Sequence, residues 1–93
     1  MTTHAAVETI IKAIDSALGS IAVGDYRNAV TRLAEALPLF SDSRYSSSTE
    51  VWQLFDPFMA IVTVCASAPF QDDGNARQLF ADAVRMKLNR IRP

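Results

Sequence analysis

The chain has 93 residues, of which 49% are hydrophobic and 20% charged, a balance typical of a folded domain and not of a disordered chain. A chain of this length has room for one small core, so we expect residues 1–93 to form a single helical domain that gains stability from partners. The net charge of −1 excludes a general electrostatic attraction to nucleic acid or anionic lipid.

The single cysteine, Cys65, cannot form a disulfide within the chain, and its apolar neighbours predict a buried thiol. We therefore predict a cytoplasmic protein. The N-terminus lacks the basic start and apolar run of a signal peptide. The longest nearly apolar run, Phe58 to Ala66, is much shorter than the roughly 20 residues that span a bilayer, so no membrane partner is expected.

Apolar residues recur at helical spacing from Thr3 onward and predict a first amphipathic helix. Its apolar face consists of Val7, Ile10, Ile11, Ile14, Leu18 and Ile21. Thr2 or Thr3 is expected to cap the start of this helix, and Gly24 is expected to end it.

A second helix is predicted to begin directly after Asp25, which is a good capping residue. Its apolar face consists of Tyr26, Ala29, Val30, Leu33, Ala36, Leu37 and Phe40. Because the connection is short, the two helices should form an antiparallel hairpin. Pro38 disfavours helical geometry at Leu37, so this helix is predicted to stop there and to leave Phe40 beyond its end.

Part of this hairpin has the residue types and spacing of a known repeat, namely Gly24, Tyr26, Ala29, Leu33, Ala36 and Leu37. Residues 24–38 resemble the second part of one tetratricopeptide repeat, although the expected first-helix residues are absent and no second copy follows. The resemblance implies a helical hairpin that binds proteins or peptides.

The polar stretch from Ser41 to Ser48 is predicted to be a surface loop. Its aromatic residue, Tyr45, either packs back against the bundle or anchors a partner. Ser47 and Glu50 have the spacing of a capping box, which predicts a helix start near Ser48.

The stretch from Phe55 to Ala68 should be the core element, because Thr63 is the only polar residue between Phe58 and Ala66. A helix that is apolar nearly all round requires other helices, or a second copy of the chain, to pack around it. Pro57 either breaks a helix that restarts with Asp56 as its cap, or kinks a continuous one, and the break is the preferred interpretation.

Ala68, Pro69 and Phe70 are expected to close the preceding segment, and Asp72 to Asn75 to form a turn. A last amphipathic helix is predicted from about Asn75 to Arg90, capped by Asp72 or Asp73. Its apolar face consists of Ala76, Leu79, Phe80, Ala83, Val84, Leu88 and Ile91. Basic residues near its end suit the helix dipole and could also contact phosphate groups.

The sequence contains no recognisable catalytic, metal or cofactor site. His4 has no second ligand at metal-binding spacing, and the DDGN turn lacks the pattern of a calcium loop. We therefore expect a non-enzymatic protein without a cofactor.

These patterns together predict an all-α fold, a compact bundle of four to five helices with an N-terminal antiparallel hairpin. Trp52, Phe55, Phe58 and Met59 add more apolar surface than the bundle can cover, which favours a homodimer or another protein partner.

The expected function is that of a small protein-binding adaptor, chaperone or inhibitor that uses a helical surface. One alternative is an inhibitor encoded by a phage or bacterium, such as an anti-CRISPR protein, and another is a nucleic-acid-associated regulator that uses the basic last helix. The candidate partner-binding residues are Tyr45, Trp52, Phe55, Arg85, Lys87, Arg90 and Arg92.

Overall fold

The computed structural model describes residues 2–67 and 73–91. Its helices are α1 (Thr3–Ala22), α2 (Tyr26–Phe40), α3 (Thr49–Trp52), α4 (Phe55–Ser67) and α5 (Gly74–Ile91), with a 3₁₀ turn at Ser43–Tyr45. No strand occurs in these two ranges, and the predicted all-α bundle with an N-terminal antiparallel hairpin is confirmed.

The central element of the bundle is α1, which packs against α2, α3, α4 and α5. Its buried residues are Ala6, Ile10, Ile11, Ile14, Ala17, Leu18, Ser20 and Ile21. Helix α4 also contacts the other four helices, so the stretch from Phe55 does contribute to the core, but the prediction that it is enclosed on all sides is wrong. The 13-residue α4 buries one side only, with Pro57, Phe58, Ile61 and Val64.

Local hydrogen bonds set the two ends of α1. The Ala5 amide donates to Thr2 Oγ1 at 3.1 Å, which confirms Thr2 as the cap. At the other end the Gly24 amide donates to the Ile21 carbonyl and the Asp25 amide to the Ser20 carbonyl. This pair of bonds is a Schellman motif, and it is possible because Gly24 adopts a φ of 81°.

The hairpin is closed by side chains at the start of α2. Asp25 Oδ1 accepts a hydrogen bond from the Asn28 amide at 3.1 Å, as predicted for the cap. Asn28 Nδ2 donates to Ser20 Oγ at 2.6 Å, a bond that joins the two helices directly. Ser20 is therefore a bridging residue in the hairpin.

Pro38 does not end α2, which contradicts the prediction that the helix stops near Leu37. The missing amide of Pro38 deprives the Ala34 carbonyl of its donor, but both residues are exposed, where solvent can take the donor's place. The buried ring of Phe40 packs 5.0 Å from the ring of Phe58 between centroids, and this contact stabilises the last turn. Phe40 is the last residue of the helix and does not lie beyond it.

The segment around Pro57 forms two separate helices, which confirms the preferred interpretation of a break, but the break lies earlier in the chain than predicted. It falls at residues 53–54, and α4 begins at Phe55, so that Pro57 is in its first turn. Backbone amides in a first turn need no intrahelical acceptor, so Pro57 breaks no hydrogen bond there. The Val51 amide donates to Ser48 Oγ at 3.3 Å, so the start of α3 is capped by Ser48 and not by Ser47.

Helix α5 agrees with its predicted range to within one residue at each end. The Ala76 amide donates to Asp73 Oδ1 at 3.0 Å, which confirms Asp73 as a cap, whereas Asp72 and the predicted closing residues 68–70 lie outside the described residues. Gly74 and Asn75 belong to α5 and not to the predicted turn. The buried face is formed by Ala81, Val84 and Leu88. Leu79 and Ala83 are exposed and do not belong to it.

We expect Gly24→Ala to lower the free energy of unfolding by about 1–2 kcal/mol, because a side chain disfavours the left-handed conformation found there. The added Cβ would lie 3.5 Å from Arg77 Cζ, an ordinary contact, so conformational strain should dominate. Urea denaturation followed by circular dichroism measures the change.

The matched control is Gly19→Ala within α1, where an added Cβ meets nothing within 4 Å. It should raise the free energy of unfolding by roughly 0.5–1 kcal/mol, because alanine favours a helix interior. Equal effects of the two substitutions would contradict a conformational role for Gly24.

Candidate functional site: an apolar groove between the second and fourth helices

Helices α2 and α4 lie side by side and enclose an open groove with a volume of about 340 Å³. Phe40 at the end of α2 packs against Phe55 and Phe58 at the start of α4, so the two helices run in opposite directions. The groove is lined by Val30, Leu33, Ala34, Leu37, Phe58, Met59, Val62, Cys65 and Ala66. None of these side chains is charged.

The groove exists because both helices carry a second apolar stripe that no other helix covers. On α2, Val30, Ala34 and Leu37 are spaced four and three residues apart, so they lie on one side of the helix, and all three are exposed. On α4, Met59 and Ala66 are exposed and Val62 is half-buried. The chain measures 40 × 24 × 16 Å along its principal axes, and a body that thin cannot cover both sides of every helix.

An aromatic cluster closes one end of the groove. The ring of Phe40 lies 5.7 Å from that of Trp52 and 5.5 Å from that of Phe55 between centroids. Trp52 and Phe55 are themselves 5.3 Å apart. Tilted and edge-on contacts of this kind stabilise aromatic pairs beyond their burial alone.

Two of the sequence-predicted partner-binding residues, Trp52 and Phe55, belong to this cluster. Trp52 is 41% exposed and its Nε1 donates to the Ser46 carbonyl at 3.1 Å, which fixes the indole at the rim. Phe55 is half-buried beside it. The structure thus brings both residues to one end of the groove.

Tyr45 is buried, with 2% of its surface exposed, so its ring packs back against the bundle and offers no anchor to a partner. The loop before it is held by Asp42, which accepts hydrogen bonds from the side chain and the backbone amide of Arg44. These two contacts lower the pKa of Asp42 to about 2. The guanidinium of Arg44 also lies 5.3 Å from the centroid of the Tyr45 ring.

The basic residues of α5 do not form a single stripe. At about 100° per residue, Arg85 and Arg90 point roughly 140° apart around the helix, and Lys87 lies near Arg90. Arg85 is half-buried, whereas Lys87 and Arg90 are exposed. Arg92 lies outside the described residues, and a role of this helix in nucleic-acid binding stays a prediction.

Reactive groups are sparse in the groove. Within residues 2–67 and 73–91, no cluster of three or more metal-ligating side chains occurs. Cys65 is half-buried, and burial raises the pKa of its thiol. A thiol whose ionisation is suppressed is a weak nucleophile at neutral pH.

The contribution of α2 to the groove was missed by sequence reasoning, which placed Val30 and Leu37 on the core face. The signal was present, because Ala29, Leu33, Ala36 and Phe40 already complete a core stripe at helical spacing. A second stripe beside a complete one indicates apolar surface that the core does not cover.

Comparison of the chain with models of protein families, with curated proteins and with solved structures finds no match in any of the three. The resemblance of residues 24–38 to a tetratricopeptide repeat therefore stays a prediction. No helix in the described ranges is long and apolar enough to cross a membrane.

We expect Cys65 to react with iodoacetamide more slowly at neutral pH than the same cysteine in a peptide of residues 63–67. Burial raises the pKa of the folded thiol, so the reactive thiolate appears only at higher pH than in the peptide. Alkylation rates measured by mass spectrometry from about pH 7 to 10 give both midpoints. Coincident pH profiles would contradict the burial of this thiol.

Proposed function

We propose that the chain is a small, non-enzymatic protein-binding protein whose groove between α2 and α4 receives the apolar face of a helix. The observation that carries the proposal is the uncharged lining of an open groove. Small-molecule sites usually add a few placed polar groups to fix the orientation of a ligand. A groove without them suits a partner that buries an apolar stripe.

The dimensions of the groove support a helical occupant. At 1.5 Å per residue, α2 is about 22 Å long and α4 about 20 Å long, which corresponds to roughly four turns. Two parallel ridges about 10 Å apart leave a furrow that a third helix can fill with residues at i, i+3 or i+4, and i+7.

The side chains at the rim are of the types that contribute most to binding. Trp52 supplies a large, partly exposed ring, and aromatic residues are enriched among interface hot spots. Met59 has a flexible, polarizable side chain that adapts to different apolar surfaces. We infer that Trp52, Phe55 and Met59 anchor the partner at one end of the groove. Leu37 contacts it along the wall that α2 forms.

A protein of this kind acts by occupying a surface, as an adaptor, a chaperone or an inhibitor. An inhibitor of phage or bacterial origin, including one of the anti-CRISPR type, is a special case in which the bound surface belongs to a target enzyme. The proposal includes the cytoplasmic location, which rests on a lone thiol that forms no disulfide.

The test compares two leucines on different helices. Leu37 lines the groove and is 52% exposed, whereas Leu79 on α5 is 62% exposed and does not line it. Since burial of an unpaired charge is costly, Leu37→Asp should reduce the amount of bound partner at least about tenfold. Leu79→Asp should leave it unchanged.

The experiment is a pull-down from the native host with the wild-type chain and the two variants, quantified by mass spectrometry. Proteins retained by the wild type and Leu79→Asp but lost with Leu37→Asp support the proposal. Equal retention by all three baits contradicts it. Salt-sensitive retention that instead depends on Arg85, Lys87 and Arg90 would favour the nucleic-acid alternative.

A further inference from the structure

We infer that the groove of the isolated protein is covered by a second copy of the same chain, seated antiparallel, so that the exposed stripe of α2 in each copy packs against the same stripe of the other and the two grooves face each other. This inference rests on the proposed function, because it names the partner whose helical face covers the groove. The charge placement, shape and size of the face around the groove favour a second copy as its occupant.

Two exposed charges stand at opposite ends of the groove. Arg27 lies in the first turn of α2 and Asp56 in the first turn of α4. Because the two helices run in opposite directions, their first turns lie at opposite ends. At about 100° per residue, Arg27 is roughly 60° from Val30, and Asp56 roughly 60° from Met59, so each charge borders the apolar stripe of its helix.

Neither Arg27 nor Asp56 forms an ion pair within the part of the chain that the structure describes. The ion pairs found there join Arg32 to Glu35 and Arg44 to Asp42. Asp25 is near Arg27 in sequence, but its carboxylate accepts the capping hydrogen bond from the Asn28 amide. Arg27 and Asp56 thus give the groove a positive end and a negative end.

This polarity selects one arrangement of two copies. When the grooves are antiparallel, the Arg27 end of each copy lies over the Asp56 end of the other, and two attractive contacts form. When they are parallel, Arg27 faces Arg27 and Asp56 faces Asp56. An interface with a two-fold axis requires such a self-complementary patch, and the antiparallel arrangement provides it.

The apolar surface has the matching shape. Val30 and Leu37 are two turns apart on one side of α2 and form a ridge. Beside it lies the furrow floored by Leu33, Val62 and Cys65. In an antiparallel pair whose two-fold axis passes near Ala34, the middle of this ridge, Val30 of each copy lies against Leu37 of the other, and the small side chain of Ala34 allows the two helices to approach closely.

The size of the face sets the expected affinity. Two helices about 20 Å long and 10 Å wide present roughly 400 Å² in projection, whereas a standard interface buries about 800 Å² on each partner. We therefore expect a dissociation constant in the micromolar range, so that a partner with a better-fitting helix displaces the second copy.

The first experiment measures mass in solution by sedimentation equilibrium from about 1 µM to about 1 mM. The wild type and Leu79→Asp should pass from monomer to dimer, and Leu37→Asp should remain monomeric. A wild-type monomer at about 1 mM overturns the inference, whether its groove is empty or holds a co-purified lipid detected by native mass spectrometry. A dimer that survives Leu37→Asp overturns it as well.

The second experiment tests the antiparallel arrangement by charge reversal. Arg27→Glu and Asp56→Lys should each raise the dissociation constant by about two- to thirtyfold, because two symmetric rim contacts become repulsive. The double variant should restore it, and circular dichroism verifies that each variant folds. Losses that add in the double variant overturn the arrangement.

The two proposals can fail separately. If the chain is monomeric but Leu37→Asp still abolishes capture of a host protein, the homodimer fails and the binding function stands. If the dimer depends on Leu37 and no host protein distinguishes Leu37→Asp from Leu79→Asp, the homodimer stands and binding of another protein fails.

Discussion

Four helices in the described part of the chain bury their apolar sides against α1, and this shared surface determines where each of them lies. Ile10, Ile14 and Ile21 have no exposed surface. Burial of one such side chain contributes about 1.5–3 kcal/mol, a large amount beside the roughly 5–15 kcal/mol of net stability that a domain retains. Helix α4 packs against the same set of neighbours, but its contact with α1 is sparser than that of α2 and one of its flanks stays uncovered. The groove is thus a consequence of how α1 is covered.

Much of this fold could be predicted from the sequence. The periodicity of α1 and α5, the caps at Thr2, Asp25 and Asp73, and the turn at Gly24 all depend on neighbours within a few residues. Local hydrogen-bonding and conformational preferences decide such features, and the chain offers nothing that opposes them. The hairpin follows from the shortness of its connection.

The errors have a common physical cause, which is contact between residues distant in sequence. The helix continues through Pro38 because Phe40 packs on Phe55 and Phe58, and a local rule cannot include that contact. Tyr45 is buried for a similar reason. The apolar run of α4 was correctly recognised as unusual, but a surplus of apolar residues does not reveal whether they lie at the centre or on an uncovered flank. The wall of the candidate groove that α2 forms was therefore not predicted, because the sequence of α2 looks like that of an ordinary amphipathic helix.

The proline in α2 has a consequence for the dynamics of the groove. Because the Ala34 carbonyl lacks an intrahelical donor, the last turn of α2 has fewer backbone hydrogen bonds than an ordinary turn and depends on the Phe40 ring for its stability. Proteins open locally where few interactions oppose opening. Release of the Phe40 ring would remove the contacts with Trp52, Phe55 and Phe58 that hold this turn against α4. The end of α2 and the aromatic end of the groove thus share the contacts of a single side chain.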